Sequence, residues 1–128
     1  MEEVKQGGGG GRFSRAAFIF LAWALVLCVV AQTLIAGLAV FGNAEWWRNH
    51  VIFVRIFEYL PLLMLVFAFA GKMPATLKWH SVALIVLIIL QYFTANTPWA
   101  GALHPVIALL MFWLALATAR RSLAALKA

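Results

Sequence analysis

Charged side chains are so sparse along the chain that their gaps define its elements. From Ala16 to Ala44 no residue is charged and most positions are apolar on every face. A bilayer core about 30 Å thick takes about 20 helical residues, so this stretch predicts a first spanning helix over about 14–42. A second apolar run between Arg48 and Lys72 carries only Arg55 and Glu58, and predicts a helix over about 50–71. Lys78 to Arg120 encloses 41 uncharged residues, about 60 Å of helix at about 1.5 Å per residue. That is twice what a membrane accepts, so the segment must fold back once. Ala95-Asn96-Thr97-Pro98-Trp99-Ala100-Gly101 is a cluster of turn formers and helix breakers and divides it into helices over about 77–95 and 104–122. Pro61 is expected to kink the second span.

The fold class expected from this pattern is all-α: a polytopic membrane protein built as an antiparallel up-and-down four-helix bundle. Residues 13–128 form its single domain, behind a glycine-rich disordered cytoplasmic tail over 1–12. Composition agrees, since 66% of the 128 residues are hydrophobic and 11% are charged, against about 25% charged in ordinary soluble domains. The formal net charge of +6 has a topological explanation. Lys5, Arg12, Arg15, Lys72, Lys78, Arg120, Arg121 and Lys127 fall on one side of the four spans and Arg48 alone on the other. The positive-inside rule then places both termini in the cytoplasm, with some attraction to anionic headgroups of the membrane lipid. Nucleic acid is not an expected partner. The five glycines Gly7–Gly11 lack the Gly-Lys-Ser/Thr of a phosphate loop. The start has no basic n-region, so the first helix is expected to stay uncleaved. Cys28 is the single cysteine, which leaves no disulfide within the chain.

Polar side chains within spans are costly and usually face a bundle interior. Gln32, Arg55, Glu58 and Gln91 all lie in the half of the spans away from the basic end. At the mouth of that layer His50 opens the second helix and His104 the fourth, the diagonal pair of an up-and-down bundle. Two imidazoles at one height across the interior suit the two axial positions of a haem iron. Ala36, Gly37, Ala39 and Gly101 are small enough to let a flat ring or a neighbouring helix come close. Arg48, Arg55 or the loop indoles are placed to meet propionate carboxylates. Asn43-Ala44-Glu45-Trp46 ahead of His50 and Asn96-Thr97-Pro98-Trp99 ahead of His104 form a faint repeat, with Gln32 and Gln91 earlier in each hairpin. Bland readings stand beside these. A histidine at a helix mouth often only caps or lies at the interface, as expected for His80, and His104-Pro105 is also an ordinary helix start. Arg55 and Glu58, three residues apart, are spaced to neutralise one another.

Gln32 to Phe41, then Trp47 with His50, then Ala102-Leu103-His104-Pro105-Val106-Ile107-Ala108, resemble an uncharacterised bacterial family of small four-helix integral membrane proteins. That pattern in turn is similar to half of haem A synthase and, more distantly, to cytochrome b561. The resemblance implies b-type haem (haem b), with His50 and His104 as axial ligands of the iron and Gln32 and Gly37 lining the pocket. It implies residence in the bacterial cytoplasmic membrane, electron transfer or haem handling without further catalysis, and a membrane oxidoreductase or quinone as partner. Two departures are visible: there is one bundle where haem A synthase has two, and Glu45 sits in a loop rather than ahead of the histidine on its helix. The alternatives are an accessory subunit of a membrane complex without cofactor and a small transporter using Glu58 with Arg55. No nucleophile with a partner base appears that would support a hydrolase.

Overall fold

The computed structural model describes residues 8–127, and these are helical with short connections. Helix α1 runs Gly9–Phe41, α2 Trp46–Phe57, α3 Leu60–Ala70, α4 Ala75–Ala95 and α5 Leu103–Ser122. Single 3-10 turns follow at Pro98–Ala100 and Leu123–Leu126. Four units are long and apolar enough to cross a membrane: Gly9–Phe41, Trp46–Ala70, Ala75–Ala95 and Leu103–Leu126. Each packs on its neighbour in sequence, and α5 returns to α1 to close the ring. The second unit divides its contacts, α2 lying against α1 while α3 meets both α1 and α4. The buried apolar core, from Phe18, Leu25 and Met64 to Leu84 and Ala119, fills the basic half and the middle of the bundle. Lipid-sized apolar side chains such as Phe20, Leu34, Ile56, Ile89 and Leu109 are exposed around the outside.

Three boundaries correct the sequence expectation. Gly9 to Arg12 are helical, where a disordered tail over 1–12 was expected; its first seven residues lie outside the described residues. Glycine costs about 1 kcal/mol against alanine in a helix, but extending a nucleated helix gains a bond per residue. The added turns are also fastened: Arg12 N donates to Gly8 O at 3.2 Å, and the Phe13 ring meets Phe67 edge-on at 6.2 Å. Helix α2 begins at Trp46 rather than 50, because Asn43 Oδ1 accepts from Glu45 N and Asn43 O from Trp46 N. That turn winds the chain into helix early, and His50 lies one turn inside α2 instead of opening it. Finally, the second span is interrupted at Glu58–Tyr59. Pro61 has no N–H, and its ring collides with a helical carbonyl four residues back, so the hydrogen-bond ladder is interrupted there, while Glu58 and Tyr59 keep right-handed helical dihedrals and Trp46–Ala70 runs on as one unit.

At the basic end α3 stops in a Schellman motif, with Lys72 N on Phe69 O and Met73 N on Ala68 O. The left-handed position of that motif is Lys72, at φ 50°, although a glycine stands next to it. Gly71 is needed elsewhere. A Cβ on Gly71 would lie 2.9 Å from Arg15 Cγ and 3.0 Å from Phe67 O, because the turn is pressed against α1. Gly71→Ala is therefore expected to lower the melting temperature in detergent, with an overpacking cost of about 1–3 kcal/mol. An unchanged melting temperature would show that α1 and the turn separate freely.

Candidate functional site: two glutamine–histidine clamps

Gln32 and His50 bind one another reciprocally. The Gln32 Nε2 donates to His50 O at 2.8 Å, and His50 Nδ1 lies 3.2 Å from Gln32 O. A backbone carbonyl only accepts, so Nδ1 carries the proton. The second hairpin repeats the arrangement. His104 Nδ1 is 3.1 Å from Gln91 O and 3.2 Å from Thr94 Oγ1. With the Gln91 amide oriented so that both ends are satisfied, its nitrogen donates to His104 O at 2.9 Å and lies 3.0 Å from His104 Nδ1, and its oxygen accepts from Ala108 N at 3.2 Å. The faint repeat of the sequence thus corresponds to one construction used twice, an amide on a backbone carbonyl and an imidazole on the carbonyl of the glutamine.

Both clamps point to one place. The His50 and His104 rings are 6.3 Å apart between centroids, tilted by 58°, and Trp47 stands edge-on to His50 at 5.6 Å. Both Nδ1 atoms being committed, Nε2 is the nitrogen left on each ring for a ligand. A ring nitrogen held by a backbone carbonyl is the usual support of a metal-binding histidine. Two metal–imidazole bonds of about 2 Å each together with the two ring radii come to about 6 Å, close to the observed separation of the ring centroids. Among the described residues no group of three or more His, Cys, Asp or Glu side chains gathers to hold a metal. The two clamps are not equal. Gln91 is 8% exposed and uses both ends of its amide, whereas Gln32 Oε1 is buried without a partner.

A buried acceptor left unpaired costs more than a made bond contributes, and Gln32 already carries that cost while Gln91 does not. Gln91→Leu is therefore expected to destabilise by about 1–3 kcal/mol and Gln32→Leu by about 1 kcal/mol or less, as read by unfolding in detergent. Equal losses would contradict the asymmetry.

Other expected site residues fall differently. Arg55 is exposed on α2 and makes no ion pair with Glu58; the Tyr92 hydroxyl donates to Glu58 Oε2 instead. Glu58 keeps a helical backbone, its N–H bonding Val54 O at 2.8 Å, so the difference lies in the side chain, which takes its partner from α4 across the bundle. Gly37 is half-buried, but no atom lies within 4 Å of where its Cβ would stand, so no helix packs on it and the space beside it is open. Gly101 likewise meets only its own turn, Pro98 O and Thr94 O. His80 is no bare interface residue, since its Nδ1 is bonded to Thr118 Oγ1 at 2.9 Å, tying α4 to α5. Tyr92 and Thr94 were missed. Their signal was adjacency to Gln91 in the one polar layer of the spans.

A model of a family of unknown function (DUF6220) matches residues 32–98. The matched stretch takes in Gln32, His50, Glu58 and Gln91 and ends ahead of His104. No curated protein and no solved structure matches the chain.

Proposed function

The chain belongs to DUF6220, a family of unknown function; from the geometry of its two histidines we propose that it is a multi-pass membrane protein holding one b-type haem between His50 and His104. The observation that carries this reading is the pair of clamps: two imidazoles on diagonal helices, each with Nδ1 tied to a carbonyl, at a ring separation close to the sum of two metal–imidazole bonds and two ring radii. A bis-imidazole haem supplies reversible one-electron transfer when bound. The protein's own part is to fix the His50 tautomer, to orient both rings through Nδ1 and to bring them together, with Trp47 edge-on to His50. Gln32 Oε1, buried and unpartnered, offers an acceptor beside that space, and Gly37 leaves room along α1.

The membrane is the bacterial cytoplasmic membrane, with the basic end and both termini in the cytoplasm by the positive-inside rule, so the haem lies toward the opposite face. One haem on one side does not carry electrons across the bilayer, and a membrane oxidoreductase or quinone is the partner this implies. Transport is the weaker reading, because Arg55 is exposed and Glu58 is bound to Tyr92. Purified protein, as isolated or after adding haem, is expected to give the sharp alpha band of a low-spin haem in a dithionite-reduced minus oxidised spectrum. Absence of that band in both preparations refutes the proposal and leaves an accessory subunit as the better reading.

A further inference from the structure

The opposite end of the bundle carries a feature that haem binding does not use. A cavity of about 560 Å³ opens there, lined by Arg15 of α1, Lys72 of the α3–α4 turn and Arg121 of α5, over an apolar floor that includes Met73, Leu77 and Ala125. Three separate elements thus bring three cations to one space. Among the described residues none of the three is in an ion pair, and the two described carboxylates, Glu45 and Glu58, belong to the loop at the other end and to the middle of the second span. Like charges repel, so the fold holds them together at a cost. Two contacts show how it does so. The turn is pressed against α1 so closely that Gly71 has no room for a side chain beside Arg15, and Lys72 takes a left-handed conformation that glycine would adopt without strain. The first turn of α4, with Pro74 and Thr76, lines the same cavity, and Pro74 gives it no side-chain cap. A helix N-terminus adds positive potential of the same sign.

We propose that this cavity binds the phosphate group of an anionic phospholipid at the basic face of the membrane. A phosphate brings negative charge to the three cations and accepts bonds from the guanidinium groups. The apolar floor favours a lipid over free phosphate, because it gives the glycerol and first methylenes an apolar surface next to the cations.

The test titrates detergent-solubilised full-length protein with phosphatidylglycerol, phosphatidylcholine and inorganic phosphate, reading the melting temperature and the lipid retained in native mass spectrometry. Phosphatidylglycerol is expected to be retained and to raise the melting temperature, with phosphatidylcholine doing neither. Arg121→Gln should weaken phosphatidylglycerol about fivefold, as expected for one cation at a membrane surface. Lys72→Gly should weaken it by a similar factor while raising the lipid-free melting temperature, since it relieves the left-handed strain. That opposition separates loss of the site from loss of the fold. Full competition by inorganic phosphate at equal headgroup concentration would support the phosphate site with a soluble ligand as its source. Equal retention of the two lipids, or the same loss in Arg12→Gln, whose exposed side chain is not part of the cavity lining, would overturn the proposal.

Discussion

His50→Ala and His104→Ala are each expected to abolish the low-spin haem spectrum, whereas His80→Ala keeps it. Disturbing the support of a metal-binding histidine typically weakens binding 10- to 100-fold, and removing the imidazole itself should weaken it by more than about 100-fold. The two losses should be alike although the glutamine amides are not equally satisfied, because each ring would supply one of the two ligands and each lies by the carbonyl of a glutamine on the preceding helix of its own hairpin. His80 differs in partner and in place. It bonds Thr118 at the other end of the bundle, and its removal should cost stability of about 1 kcal/mol without touching the spectrum. Retained haem and melting temperature, measured on the same three preparations, separate the effects. A spectrum lost equally in all three would mean that these substitutions disturb the fold and that the paired ligation is wrong.

The four helical units long and apolar enough to cross a membrane, and the fold-back at Ala95–Gly101, were legible because they rest on the absence of charge and on turn chemistry, which need no knowledge of neighbours. The diagonal meeting of His50 and His104 was legible for a related reason: helix order in an up-and-down bundle follows from short loops. The bonds of the clamps were not, since they depend on the rotation of α1 against α2 and of α4 against α5, to within a fraction of a turn. Local competition decided the boundaries instead. The Asn43 turn began α2 a full turn early, and Pro61 interrupted the hydrogen-bond ladder of the second unit. The error at Arg55 and Glu58 has another origin, because spacing along one helix sees only that helix and Glu58 takes its partner from across the bundle. Tyr92 lies 34 residues from Glu58 in sequence, and nothing local marks it as the partner. Lys72 shows the converse, a residue whose awkward conformation makes sense only when Gly71 is seen pressed on Arg15.

Tyr92→Phe is expected to destabilise the bundle by about 1–3 kcal/mol, although it removes a single oxygen, and Glu58→Leu in the same chain should restore most of the loss. The Tyr92 hydroxyl donates to Glu58 Oε2 at the interruption between α2 and α3, joining the second spanning unit to α4. This carboxylate lies in the middle of an apolar span, where an ionised acid is expensive. Taking away its donor leaves the desolvation penalty without the bond, which costs more than the bond itself contributes. Taking away both partners removes the penalty as well, and apolar replacement of a buried polar pair is often neutral or stabilising. The expected pattern is therefore a damaging Tyr92→Phe, a mild Glu58→Leu, and a double variant close to Glu58→Leu alone. A double-mutant cycle on unfolding in detergent reads the coupling directly, and values of about 0.5–3 kcal/mol are usual for residues in contact. If Tyr92→Phe costs the same in both backgrounds, the two side chains are uncoupled and Glu58 is satisfied some other way. If Glu58→Leu is itself severely damaging, the acid holds the interruption in place and is more than a partner for Tyr92.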